Sequence, residues 1–348
     1  MTFLLIDFET FSTVDIKVAG GRAYAQHDST QIICMGYAFD QEEPSLWSIA
    51  DGPLPERILT HVRAKGRVTA FNATFDMRIW NLVGHRDFGW PVLSPSQIVD
   101  AQALCATFQL PQNLGDAGEA LKIPMPKDKA GTSLIKLCCI PNKHGEQPMP
   151  DSPTMISAFN NLFRYCKRDI VAMQQIIYRL PRQELIPQEQ EIWEFTYEMN
   201  ERGLPVDFES VQVIYDYLQA YIEKTIVELP LLTDGKVTTP GQIARIVKWC
   251  CDNGHYMPNL QAETLEVELC RPSLSGKVRR VLELRQELGR PSTAKYKKIK
   301  GQACKGQKGW WVYDNLRYHG AGTGRWTGQG FQMHNLPRLG VKDLLDRN

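Results

Sequence analysis

Three short acidic stretches follow one another in the first half of the chain: Asp7-Phe8-Glu9, Asn72-Ala73-Thr74-Phe75-Asp76 and Tyr165-Cys166-Lys167-Arg168-Asp169. Together they supply four carboxylates, Asp7, Glu9, Asp76 and Asp169, and one phenol, Tyr165. Such a set can hold two divalent metal ions and position one water, which is what phosphodiester hydrolysis needs. Hard oxygen ligands favour Mg2+ or Mn2+ over zinc. Crowded acidic groups repel each other unless a cation sits between them, although a solvated pair relieves the same cost by spreading apart. Each stretch alone is a weak signal, because Asp-x-Glu arises by chance. The ordered trio is a strong one.

The elements around these residues are legible. Phe3-Leu4-Leu5-Ile6 is a continuous apolar run, as in a strand buried on both faces, with Asp7 and Glu9 following at its end. The two-residue repeat of a strand puts both side chains on one side. Val68 to Phe71 reads as a second strand, and Asp76 opens a helix to Val83 with Met77, Trp80 and Val83 at helical spacing. Residues 32–39 and 45–49 continue the sheet. Residues 159–180 read as a longer helix on which Tyr165 and Asp169, four apart, project from one face. Asp100 reads as structural. Residues 123–153, rich in Pro, Gly and Lys and containing Lys127 and Lys136, read as a long surface loop. Pro181 and Pro187 bracket a linker. Helices are expected over 189–201, 208–229, 241–253 and 275–288, and a strand over 310–318.

These motifs resemble the proofreading 3′–5′ exonucleases of the Asp-Glu-Asp-Asp class that carry a tyrosine in their third motif. Gly322-Thr323-Gly324-Arg325-Trp326 and Gln332-Met333-His334-Asn335-Leu336-Pro337-Arg338 are similar to the Thr-Gly-Arg … Gln-Asn-Leu-Pro signature of family A DNA polymerases, in their phage and prophage branch. Trp193-Glu194 … Val206-Asp207 is similar to the segment after the exonuclease domain there, and Leu282 … Tyr296 to part of the polymerase thumb. Phe75 stands where many relatives have tyrosine, and His334 where glutamine is more usual.

The resemblance implies an α/β, ribonuclease H-like (DnaQ-like) exonuclease domain with a mixed sheet over residues 1–182. A mainly helical, thumb-like region over 183–300 and a truncated start of a palm over 301–348 would follow. It implies that Asp7, Glu9 and Asp169 hold the metal carrying the attacking water, that Asp7 bridges to a second, that Asp76 binds mainly through waters, and that Tyr165 orients the water. On this reading the chemistry lies before residue 182. DNA would be contacted by Asn72, Phe75, Lys295, Lys297, Lys298, Lys300 and Arg325. The chain stops at Asn348, before the palm aspartates and fingers of that family, so primer extension is not expected; Asp343 and Asp346 lack motif context and receive no role. Expected partners are single-stranded 3′ ends and primer–template DNA, with the remaining polymerase part or other replication proteins. Two other readings stay open: a ribonuclease D-like RNA trimming enzyme, and a DNA-binding replication fragment whose nuclease site is idle.

A length of 348 residues and 43% hydrophobic content suit a soluble globular protein. No apolar run approaches a membrane span and no signal peptide precedes Asp7, which points to the cytoplasm, that of a bacterial host if the chain is phage-encoded. Nine cysteines without Cys-x-x-Cys spacing argue for reduced thiols and against structural zinc. The net charge of +1 hides an asymmetry: residues 271–348 carry +12 and the rest −11. That basic balance, dense at Lys295 to Lys300, suits a phosphate backbone.

Overall fold

In the computed structural model, which describes residues 2–125, 131–288, 291–306 and 308–335, the first apolar run is the start of a nine-residue strand, β1 (Phe3–Phe11). Every residue of β1 except Phe3 and Asp7 is buried, as in a strand covered on both faces. Two short helices follow, α1 (Ile16–Ala19) and α2 (Gly21–Gln26), then β2 (Gln31–Phe39), β3 (Ser45–Ser48), α3 (Glu56–Arg63) and β4 (Arg67–Ala70). Beyond β4 come α4 (Ala73–Arg78), a π-helical stretch (Ile79–Gly84), α5 (His85–Phe88) and β5 (Ile98–Asp100). Then follow α6 (Ala101–Thr107), α7 (Leu114–Ala120), α8 (Gly131–Cys138), α9 (Pro153–Ile177) and α10 (Pro187–Arg202).

The five strands form one mixed sheet in the order β3-β2-β1-β4-β5. β1 is central, antiparallel to β2 and parallel to β4, while β3 and β5 extend the two sides. The register places Asp7 opposite Gly36 and Glu9 opposite Cys34, with an irregularity between Glu9 and Thr10. Trp47, Trp80 and Trp90 join Leu4, Ile6 and Phe8 in the core. The π-helical stretch ends where Trp90 folds back: a Cβ on Gly84 would stand 2.1 Å from that ring.

Several expectations are revised. β1 runs past the carboxylates, so Asp7 and Glu9 sit within the strand and not after it. The helix carrying Asp76 begins three residues earlier, after Asn72, whose left-handed conformation (φ 66°, ψ 52°) an asparagine tolerates better than most residues. The expected loop over 123–153 contains α8. α9 starts at Pro153, capped by the Ser152 side chain accepting from the Met155 amide; serine at the cap and proline in the first turn are strong start signals.

The chain divides into two units. The first runs to Pro205 and takes back Gln302–His334; the second is Val206–Gly301 with Asn335. The second consists of α11 (Phe208–Ile226), α12 (Glu228–Leu232), α13 (Ile243–Asp252), α14 (Ala262–Leu269), α15 (Gly276–Leu288) and α16 (Pro291–Gln302). Its own core gathers Leu229, Ile246, Trp249, Leu265, Val281 and Leu284. The single helix expected over 208–229 is interrupted at Val227, and α14 has only Leu265 and Glu268 buried, too few to set a visible period.

In the first unit the returning segment forms β7 (Ala303–Gly306) and β8 (Gly309–Val312), which complete a three-stranded sheet with β6 (Leu204–Val206). β9 (Leu316–Arg317) pairs with β10 (Thr327–Gly328). The strand expected over 310–318 is broken by Asp314, whose φ is 57°. Lys127, Pro337, Arg338, Asp343 and Asp346 lie outside the described residues.

Candidate active site

β1 delivers two carboxylates in the middle of the sheet: Asp7 is half-buried, Glu9 is buried. α4 brings Asp76 to the same strand. Asp76 as a residue is 3% exposed, and its Oδ1 accepts from the Phe8 amide at 3.3 Å. Burial, and then the charge of Asp7, push the Asp76 carboxyl well above the usual carboxylate range; the Phe8 amide only partly offsets them. The corner before α4 is held by Asp100, whose Oδ1 accepts from the amides of Asn72 (3.2 Å) and Gln102 (2.9 Å) and whose Oδ2 accepts from the Trp193 indole (3.0 Å). Asp100 is therefore structural, as its sequence context suggested.

α9 brings the third motif. Cys166, between Tyr165 and Asp169, lies against β1: its thiol donates to the Asp7 carbonyl at 3.4 Å and to Asp7 Oδ2 at 3.7 Å. The Gly36 amide donates to the same sulfur at 3.1 Å. A Cβ on Gly36 would stand 3.0 Å from Cys166 Sγ, 3.1 Å from its carbonyl oxygen and 3.1 Å from Ile170. The bare backbone at Gly36 is what lets α9 come this close. Tyr165 and Asp169 are both buried, and Gly131 at the start of α8 leaves room for the Tyr165 ring, which a Cβ there would meet at 2.3 Å.

Thiols surround the acidic groups to an extent that the motifs did not announce. Cys139 Sγ reaches Glu9 Oε2 at 3.9 Å. Burial raises the thiols of Cys34 and Cys139, and for Cys166 a hydrogen bond to Cys34 and then burial do the same, so all three are protonated donors rather than thiolates. Tyr24, from α2, is a second phenol in this neighbourhood. It shares a 2.8 Å hydrogen bond with Thr10, packs 6.1 Å from the Phe75 ring, and is pushed up to about 12 by burial and then by Cys139 and Glu9. Cys166 could have been noticed inside its motif. Tyr24, Gly36 and Cys139 have no sequence signal linking them to it.

Among the described residues no group of three or more His, Cys, Asp or Glu closes into a metal-ligating cluster, so the convergence is one of elements and charge. Of the residues expected at DNA, Asn72 is exposed and Phe75 half-buried. Lys295, Lys297, Lys298 and Lys300 lie on α16 of the helical unit. There Lys300 stands 3.8 Å from Asp216 and 4.4 Å over the Tyr215 ring, Lys295 donates to the Asn335 carbonyl, and Lys297 is exposed. Arg325 is exposed in a turn closed by the Ala321 amide donating to the Arg325 carbonyl at 3.1 Å.

The first unit is thus a mixed α/β domain in which acidic motifs from three elements meet on a central strand. No protein-family model matches the chain. It is 31% identical over 351 residues to the DNA polymerase of Bacillus phage SP02, an alignment covering 99% of this chain and 52% of that protein. The chain spans about half the length of that curated relative. Among solved structures it is similar to the POL domain of Pol1 from M. smegmatis in complex with DNA primer-template and dNTP, with a TM-score of 0.52 and 10% identity over 98% of this chain and 53% of that one. The second likeness bears on fold alone. The chain is related in sequence to a phage DNA polymerase and in fold to a polymerase I domain.

Proposed function

We propose that the first unit is a ribonuclease H-like, metal-dependent 3′–5′ exonuclease acting on DNA ends, part of a family A type DNA polymerase. The observation that carries the reading is the arrival of Asp76 at Phe8 and of Cys166 at its neighbour Asp7, across 68 and 159 residues of sequence. The mixed sheet and the phage polymerase likeness support it, and that likeness favours DNA over RNA as the substrate and a host cytoplasm as the location.

Asp7, Glu9, Asp76 and Asp169 would hold two Mg2+ or Mn2+ ions. The donor set fits hard cations: all four are carboxylates, and Asp76 is driven toward its neutral form by burial and then by Asp7, a cost that a neighbouring cation relieves. When bound, such ions supply a nucleophile at neutral pH and neutralise charge on the phosphate. The Tyr165 phenol would hydrogen-bond and orient the attacking water. The Phe8 amide fixes Asp76, and the Cys166 thiol, a donor aimed at Asp7, fixes the first carboxylate. Phe75 would stack on a terminal base, and the Lys295–Lys300 stretch with Arg325 would meet the phosphate backbone.

The test is Asp7→Ala. Metal-dependent release of 3′ nucleotides from short single-stranded DNA should be abolished by EDTA in the wild type and fall by several orders of magnitude in the variant, with the fold retained. Wild-type rates in Asp7→Ala, contaminating nuclease excluded, would refute the reading.

A further inference from the structure

Arg78 follows Asp76 by two residues in α4 and is 3% exposed. All three of its guanidinium nitrogens donate. Nη1 and Nη2 form a fork onto Asp314 at 2.9 and 2.6 Å, and Nε reaches Glu201 at 2.5 Å. Glu201 also pairs with Arg22, whose guanidinium lies 5.4 Å over the Tyr313 ring. The four charges balance. The packing around them is close: a Cβ on Gly21 would stand 3.0 Å from Arg78 Nη1 and 3.6 Å from Asp314 Oδ2. Two members of the set, Glu201 and Asp314, come from outside residues 1–182, and Asp314 belongs to the segment that returns to the first unit after the helical one.

Successive helical residues turn by about 100°, so residues two apart face nearly opposite ways. Asp76 points to the Phe8 amide on β1, and Arg78 grips the other side of α4. α4 has only six residues and passes at once into the π-helical stretch. Arg78 is the last residue before the regular α-helical register changes, so its ion pairs hold the helix where that register breaks. A buried ion pair is weak evidence for stability but a good device for specifying one arrangement over others.

We infer that Asp314 and Glu201 are positioning residues for the cleavage site, acting through Arg78 to set the rotation of α4 and hence the place of Asp76. The inference rests on the exonuclease reading above. It makes the returning segment a working part of the site and replaces the expectation that the chemistry depends only on residues before 182.

The test uses the full chain as wild type, Asp314→Asn, Arg78→Lys, Glu201→Gln and the paired apolar replacement Arg78→Met with Asp314→Leu. Four quantities are measured: Mn2+ affinity by calorimetry, single-turnover cleavage of a short single strand, amide hydrogen exchange over residues 73–84, and melting. Asp314→Asn and Arg78→Lys should weaken Mn2+ binding and slow cleavage, each by roughly 10–100-fold, the range for groups that orient a metal ligand. Half-saturation by DNA should be unchanged and exchange over 73–84 should rise; Arg78→Lys loses the fork while keeping the charge. The apolar pair should recover part of both losses. Should Asp314→Asn fail to fold, Glu201→Gln, which keeps the Asp314 fork, should show the same signature at smaller size. Folded variants that match the wild type in Mn2+ affinity and rate overturn the inference. A wild type that binds Mn2+ without cleaving refutes the exonuclease reading and leaves affinity and exchange to judge the clamp. A wild type that does neither overturns both.

Discussion

Asp76 is the residue at which the charge balance of the site is easiest to read. Its folded-state pKa is raised by burial and by Asp7, so the folded chain binds more protons than the unfolded one between the two pKa values. The stability it contributes is full below the ordinary carboxylate range and is lost as pH rises through the raised value. Asp76→Asn cannot ionise and keeps an acceptor for the Phe8 amide. In EDTA at pH 8 it is expected to melt above the wild type, by about 2–4 °C for each kcal/mol relieved, with the gap closing as pH falls to about 4. Mg2+ should raise the melting temperature of the wild type more than that of the variant, because a ligand stabilises only the state that binds it. Scanning calorimetry across pH checks both; a variant that melts lower at pH 8 would refute the account. Tyr165→Phe removes one hydroxyl and keeps the packed ring. It should slow cleavage by about 10²-fold, less than Asp169→Ala does. Equal losses in single-turnover rates would show that the phenol does more than orient water.

At the scale of elements, the site depends on how closely α9 lies on the sheet. Gly36 sits opposite Asp7 in β2, and the space a side chain would need there is already filled by Cys166 and Ile170. Gly36→Ala must displace α9 by a few tenths of an ångström or shift the strand, at a cost of about 1–3 kcal/mol for overpacking. Because α9 carries Tyr165 and Asp169, the same substitution should lower the cleavage rate. Adding Cys166→Ala removes the nearest of the contacts, and the double variant is expected to be less destabilised than the two single effects added together. Denaturant melts of the four proteins close this cycle. Strict additivity would mean that Gly36 acts through backbone freedom alone.

At the scale of the whole molecule, part of the basic charge of the C-terminal region is already paired with nearby carboxylates. Arg280 faces Glu228, Glu283 and Glu287, and Lys300 faces Asp216. Exposed Lys297 is the better candidate for a phosphate contact. DNA binding should weaken with salt by roughly 0.9 log units of affinity per log unit of salt for each phosphate neutralised, and Lys297→Ala should lower that slope by about one such step. Fluorescence anisotropy over a salt series measures it, and an unchanged slope would remove Lys297 from the interface. Among the described residues no helix is long and apolar enough to cross a membrane.

What the sequence determined by itself is what local pattern can carry. An apolar run made β1 a buried strand, alternation placed Asp7 and Glu9 on one side, and helical spacing put Tyr165 and Asp169 on one face of α9, although that helix starts at Ser152-Pro153 and the spacing predicts it only from residue 159. Which elements meet was decided only by the tertiary structure. Cys166 lies against Asp7 across 159 residues, and Asp314 reaches Arg78 across 236. Neither pairing leaves a trace in periodicity, because a partner that distant imposes no repeat on the residues around it. The same reason hid Tyr24, the thiols around Glu9 and the reach of Asp314 back to Arg78. Local chemistry set the motifs, and long-range packing brought them together on β1.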